Sequence, residues 1–436
     1  MAKPYKLNLI LRSVVPVGMS IAVAGWCMAQ NSSTSGGFRV AMSVSPFVES
    51  ETNAGITFTD GKITAHTVED VQRIFLAHGA DEVYARIATT QKYRMGSGDH
   101  SMDRGLERAR LAKTLGVPFN PELGLFNIYG DIRCQPSPDF TDYPQIKEPG
   151  EWTSLRLDQM VPILRSYGAA AAKQILDTGA QVRIWDVGNE VEFGMAGVAV
   201  QPLPGGCDDT AGGRGWYRPP DQVDPEIGKK TVIDLFRMPE PERIAWLEKH
   251  LWPYEAQMFA AVAAGIRSVD PGARFSTHVS GVASVLPHLS VAFYKAMNAG
   301  GFTPDELGFS YYPTSSPQPP DRLQAFKDMA TTVQKALDRP VFIAEFGYPA
   351  AKMESGFVWN DAINGYPQTA EGQADFIRDL IAWGTRAGVL SGMRPWAPDL
   401  VGPGWGPMSF FQLDAKVATA RPSLDAIREG HKRGLE

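Results

Sequence analysis

The sequence predicts an eight-fold β/α barrel, and three observations lead there. Short apolar, β-rich runs alternate with helical patterns eight times along the 436 residues. Parallel strands need crossover helices, and eight such units close into a barrel. The first strand is followed by Ser45-Pro46-Phe47-Val48-Glu49, with no Gly-rich phosphate loop, and no Walker pattern occurs anywhere. That argues against an open doubly wound sheet, which usually carries such a loop.

The elements follow in order. Phe38 to Ser43 is a first strand, and His66 to His78 has helical spacing that stops at Gly79. Glu82 to Ile87 is a second strand, and Ser101 to Leu115 a helix that stops at Gly116. The apolar run Leu123 to Tyr129 reads as the third strand, and Ser154 to Asp177 as a long amphipathic helix. Val182 to Val187 is the fourth strand. A Gly- and Pro-rich excursion, Glu192 to Glu240, comes next, and loops this long inside a compact domain are usually functional. Arg243 to Val269 is helical. Arg274 to His278 is strand five and Pro287 to Asn298 its helix. Leu307 to Tyr312 is strand six and Asp321 to Leu337 its helix. Pro340 to Phe346 is strand seven and Ala370 to Ala387 its helix. Val389 to Arg394 is strand eight, and Pro422 to Glu429 begins the last helix.

Composition sets the class. The chain is 44% hydrophobic and 21% charged, an ordinary globular balance. Net charge is −6 and there is no long basic run, so nothing points to nucleic acid. Lys3, Lys6 and Arg12, then the apolar stretch Ser13 to Ala24, then Cys27-Met28-Ala29 read as an export signal over residues 1–29. The apolar run is short for a membrane span. A polar leader over 30–37 and a single domain over 38–436 complete the expected organisation. The mature chain is then secreted or periplasmic, with no membrane association after cleavage. Two cysteines remain, Cys134 and Cys207, in the loops after neighbouring strands three and four; in an oxidising compartment they can pair. No Cys/His cluster has zinc spacing and no HExxH occurs. No metal or cofactor is expected. Oligomeric state is not legible.

Active residues of such barrels sit at the C-terminal ends of strands. Strand four ends in Asp186-Val187-Gly188-Asn189-Glu190, and strand seven in Ala344-Glu345-Phe346-Gly347-Tyr348. Each places a glutamate beside an apolar strand, where ionisation costs desolvation energy unless the group is paired or protonated. Cleaving a glycosidic bond needs two carboxyl groups flanking the anomeric carbon, about 5–5.5 Å apart when configuration is retained. Strands four and seven lie across the barrel mouth, so both can face one sugar. Asn189 offers an amide to a 2-hydroxyl. Arg86, at the end of strand two, can pair with Glu345 and keep it ionised, while burial or a nearby charge must keep Glu190 protonated.

With these residues in view, the chain resembles the clan A glycoside hydrolases, and most closely family 53, the arabinogalactan endo-β-1,4-galactanases. The similarity runs from about Phe38 to Ile427, with the loop after strand four as the main insertion. Its motifs are Ala41 to Glu49, Gly61-Lys62, His78-Gly79-Ala80, Tyr84-Ala85-Arg86-Ile87, and the run Val187 to Met195. Ser310-Tyr311-Tyr312-Pro313, Glu345 to Pro349, and Trp405 to Asp425 add to it. The resemblance implies retention of configuration, with Glu190 as acid/base and Glu345 as nucleophile. Arg86 and Asn189 would support them, without a cofactor. A tyrosine of the Tyr311-Tyr312 pair would bond the nucleophile, and His278 and Trp396 would line the central sugar site. A core position is the alternative for His278 and for Trp396. The family usually has Trp where Ala88 and Arg133 stand, His where Ile128 stands, and Glu where Ala397 stands. These departures fall near substrate subsites and spare the two glutamates.

The expected partner is therefore a polysaccharide or oligosaccharide. A clan A hydrolase of another β-glycan, such as mannan or a β-galactoside, is one alternative. A carbohydrate-binding barrel without catalysis is another. Whether attack is internal or at chain ends depends on loop shape, which the sequence does not specify.

Overall fold

The computed structural model describes residues 37–94, 98–203, 220–315 and 321–436. The proposed signal, and all of the leader except Gly37, lie outside them. Eight parallel strands form one curled sheet. They are Arg39–Val40, Val83–Ile87, Phe119–Leu123, Trp185–Val187, Phe275–Val279, Glu306–Tyr311, Val341–Phe346 and Leu390–Pro395, called strands 1 to 8 below. Around the sheet they run 1-8-7-6-5-4-3-2. The fold is a (β/α)8 barrel. Strand 1 is only two residues long, so the seam between strands 1 and 2 relies on a side chain. Ser43 Oγ accepts from Tyr84 N at 3.0 Å, and Asp81 N donates to Val40 O at 3.2 Å.

The third strand corrects the sequence expectation. It is Phe119-Asn120-Pro121-Glu122-Leu123, not the apolar run that follows. Polar Asn120 and Glu122 and the intervening proline disguise it as a loop. Both polar side chains point into the barrel and are wholly buried, where arginines satisfy them. The apolar Leu125, Phe126 and Ile128 are instead buried in the loop that follows.

That inward polarity continues across the barrel floor. Arg39 donates to both oxygens of Glu82 (2.8 and 3.1 Å), to Glu306 (2.5 Å) and to Asn120 (2.8 Å). Arg394 donates to Asp186 (2.8 Å), Asn120 (2.9 Å), Glu122 (3.0 Å) and Ala344 O (2.7 Å). The Arg39 guanidinium lies 4.0 Å over the Phe342 ring, and that of Arg394 lies 3.7 Å over Tyr84. Burial alone disfavours a Glu82 carboxylate, but Arg39 holds its pKa below the usual range.

Two further differences have local causes. The predicted helix over 243–269 is two helices, Glu240–His250 and Trp252–Arg267. Pro253, in the first turn of the second, cannot continue a helix from behind. The excursion after strand 4 carries structure of its own: a hairpin of Gly194–Met195 with Val198–Ala199, and a helix, Val232–Arg237, capped by Thr231. A small four-stranded sheet, not foreseen, joins Thr57–Thr59 and Thr64–Ala65 to Phe411–Asp414 and Val417–Ala420. Its strands are two to four residues long, too short to show periodicity. Among the described residues, no helix is long and apolar enough to cross a membrane.

Candidate active site

A cleft of about 290 Å³ opens at the C-terminal ends of the strands, with Glu190 and Glu345 both on its wall. Strand 4 delivers Glu190 through a sharp turn. Gly188 takes φ 79°, and Glu190 itself takes φ 51°. A non-glycine residue in the left-handed region is strained, and such strain clusters at functional sites. Gln135 Nε2 holds the turn by donating to Asn189 O at 2.6 Å.

The two glutamates sit in opposite surroundings. Arg86 donates to Glu345 Oε1 through Nη2, and Tyr312 OH donates to Glu345 Oε2 at 2.6 Å. Arg86 is itself oriented by Glu122, which accepts from its Nε at 2.5 Å. Glu122 also accepts from Tyr84 OH at 2.8 Å. Glu345 thus faces donors. Among the hydrogen bonds described, the Glu190 carboxyl accepts only from the Ile132 N–H, at 3.2 Å. Burial first, then the charges of Glu345, Asp131 and Glu192, push its pKa well above the carboxylate range.

The other sequence-predicted residues divide. Trp396 lines the cleft and meets Trp405 edge-on at 4.5 Å. Tyr312 reaches the site, but Tyr311 does not. It stacks on Phe326 at 4.0 Å on the helix side of the sheet, because successive strand residues face opposite ways. His278 is also corrected: it lies beneath the cleft, 1% exposed, rather than lining it. Gly308 makes room for it, since a Cβ there would fall 2.5 Å from His278 Cβ. Burial pushes the His278 pKa down to about 3, so the ring is neutral. Asn189 Nδ2 donates to Gly130 O at 2.6 Å, so its Oδ1 faces His278 Nε2 as acceptor at 2.8 Å. Both ends of that amide are therefore engaged within the protein. Cys134 is disulfide-bonded, and Cys207, the partner expected for it, lies outside the described residues.

Sequence reasoning missed several contributors. Glu122 was hidden with its strand. Phe357 and Trp359 from loop 7, Trp405 from loop 8, and Ser280 to Val282 from loop 5 also line the cleft. Two tryptophans in loops after the last two strands were a usable signal. Loop 8 is tied to loop 1 by acids: Asp399 accepts from Ser45 N (2.9 Å) and Oγ (3.0 Å), and Glu51 accepts from Val401 N (2.9 Å) and Gly402 N (3.0 Å). Among the described residues, no group of three or more His, Cys, Asp or Glu could hold a metal ion.

Comparison with known proteins bears on this geometry. Residues 221–404 match the profile of Glycosyl hydrolase family 53, a stretch that contains Glu345 and begins after Glu190. A probable arabinogalactan endo-β-1,4-galactanase A of Aspergillus tubingensis is 20% identical over 362 residues, covering 80% of this chain and 81% of that protein. The family 53 catalytic domain of Ignisphaera aggregans superposes with a TM-score of 0.65 at 17% identity, covering 90% of this chain and 96% of that one. A fungal β-1,4-galactanase gives a TM-score of 0.62 at 16% identity, covering 91% and 99%. The two structures share the fold, and with the sequence matches they support one assignment. Over residues 221–404 the chain is similar to glycosyl hydrolase family 53, of clan A, and the matches support a glycosidase that hydrolyses O-glycosyl bonds of a β-glycan.

Proposed function

We propose that the enzyme cleaves β-1,4-linked galactan or its oligosaccharides by double displacement, with Glu345 as nucleophile and Glu190 as acid/base. In the first step a Glu345 oxygen bonds to the anomeric carbon. The bond to the leaving oxygen breaks, and that oxygen takes the Glu190 proton. In the second step Glu190 removes a proton from water, whose oxygen attacks the anomeric carbon from the face the leaving group vacated and releases Glu345 as the carboxylate. The starting configuration is restored.

One observation carries this reading: two glutamates lining one cleft have opposite electrostatic surroundings. Donation from Arg86 and Tyr312 fixes the Glu345 carboxyl. Burial first, and then its acidic neighbours, raise the Glu190 pKa and so favour its protonated form. Neutral His278 fixes the buried Asn189 side chain beneath the cleft, next to Glu190 in the chain. Galactan as the substrate rests on the likeness to galactanases.

The test is proton NMR of the first product formed from β-1,4-galactan, run beside β-1,4-mannan and arabinogalactan. Cleavage of galactan to the β-anomer is expected. An initial α-anomer overturns the double displacement. Cleavage of mannan with galactan untouched overturns the substrate.

A further inference from the structure

We propose that Arg133 and Phe357 form a clasp across the cleft, so that the enzyme takes its glycan by a free end or as a short oligosaccharide. The inference rests on the glycan-hydrolase reading of the site and concerns how substrate enters it. Arg133 belongs to the loop after strand 3, and Phe357 to the loop after strand 7. Three strands separate these two on either side of the barrel, so the loops rise from opposite walls. Their tips nevertheless meet: the Arg133 guanidinium carbon lies 5.4 Å from the centre of the Phe357 ring, within cation–π range. Both residues line the cleft that holds Glu190 and Glu345.

Each arm is built to reach. Arg133 sits at the tip of a tight turn closed by reciprocal backbone bonds between Asp131 and Cys134, at 2.9 and 3.0 Å. Asp131 aims the guanidinium through contacts at 2.6 and 3.1 Å, and Leu203 N ties the turn down by donating to Arg133 O at 2.9 Å. On the other wall, Phe357 stacks on Trp359 at 4.7 Å and meets Trp405 edge-on at 6.3 Å. Gly356 and Gly404 pack backbone to backbone beneath it: a Cβ on Gly356 would lie 3.1 Å from Gly404 Cα. Arg133 keeps a third of its side-chain surface exposed and Phe357 40%, as expected of a bridge between two walls.

An internal stretch of polymer is laid into an open groove from the side, and a strap across the groove prevents that. A chain end or a short oligosaccharide can pass beneath it. The volume agrees, because 290 Å³ lies at the small end of ligand sites. The contact joins one cation to one partly exposed ring, so it is weak and can open. The turn that presents Arg133 also supplies the Ile132 N–H on Glu190, so clasp and acid move together.

The experiment compares kcat/KM on an end-labelled galactotetraose with kcat/KM on linear β-1,4-galactan, and follows viscosity against reducing ends on the polymer. The wild-type enzyme is expected to favour the tetrasaccharide and to release short products with little early loss of viscosity. Phe357→Ala and Arg133→Ala should each raise the polymer-to-tetrasaccharide ratio about threefold to fivefold, the population shift from losing one exposed cation–π contact. Arg133→Lys, which keeps the cation, should restore much of the wild-type ratio. Phe357→Ala leaves the charge near Glu190 untouched, so its ratio separates the clasp from any effect on the acid. Rapid viscosity loss by the wild-type enzyme, or an unchanged ratio in Phe357→Ala, overturns the clasp. If wild type and variants alike cleave neither galactose substrate nor mannan, the underlying reading of the site has failed instead.

Discussion

The floor and the rim of this barrel use the same residue types for opposite ends. On the floor, Glu82 faces Arg39, and Asp186 and Glu122 face Arg394. The carboxylates are dry and compensated. At the rim, the Glu190 carboxyl has one backbone N–H and a set of acidic neighbours. A buried charge that lacks a cation must change its protonation state or cost stability. The floor's pairs therefore knit strands together, while the rim's unpaired acid retains a proton that chemistry can use. Glu345 stands between these regimes, ionic like the floor through Arg86 yet open to the cleft. Burial alone does not mark a functional carboxylate; a place on the cleft lining does.

The sharpest way to break this comparison is to remove the rim carboxyl proposed as the nucleophile. Glu345→Gln should lower kcat by about 10,000-fold or more, the scale of losing a nucleophile, with the melting temperature changed little. Retention of a tenth of the activity would remove Glu345 from that role. On the floor the effect should appear in stability. Arg394→Met leaves Asp186 buried without its guanidinium and Glu122 with Arg86 alone, and unfolding in urea should show a loss of about 3–5 kcal/mol. A loss within the error of the measurement would mean that water compensates these acids.

The smallest expected effect concerns pH. As the proposed acid, Glu190 must carry a proton, so the alkaline limb of kcat/KM should fall as pH rises through its elevated pKa. Asp131→Asn removes one of the negative neighbours that raise that pKa. The alkaline limb should then move to lower pH, by under about one unit. A limb that moves upward, or stays in place, would show that Asp131 does not govern the proton on Glu190.

Most of the fold was legible in the sequence, and the exceptions share a cause. Strands built from Val, Ile, Phe and Ala, such as Val341–Phe346, announce themselves by composition. Phe119–Leu123 did not, because two of its five buried residues are Asn and Glu and it contains a proline. Hydrophobic patterning assumes an apolar interior, and this barrel floor is ionic. The site divides in the same way. Glu190 and Glu345 were found because strand ends in this fold have a known location. Tyr312 could not be told from Tyr311, since one position along a strand reverses the face. His278 was placed on the right strand but one layer too high.

The sequence by itself determined the alternation of strand and helix, and with it the barrel and the two glutamates at its mouth. Those features follow from local periodicity and from the regular geometry of parallel units. Only the tertiary structure decided which charges are compensated, which tyrosine reaches Glu345, and how Arg133 meets Phe357 across the cleft. Each of these depends on residues far apart in the chain approaching within a few ångströms, and local pattern carries no information about such pairings.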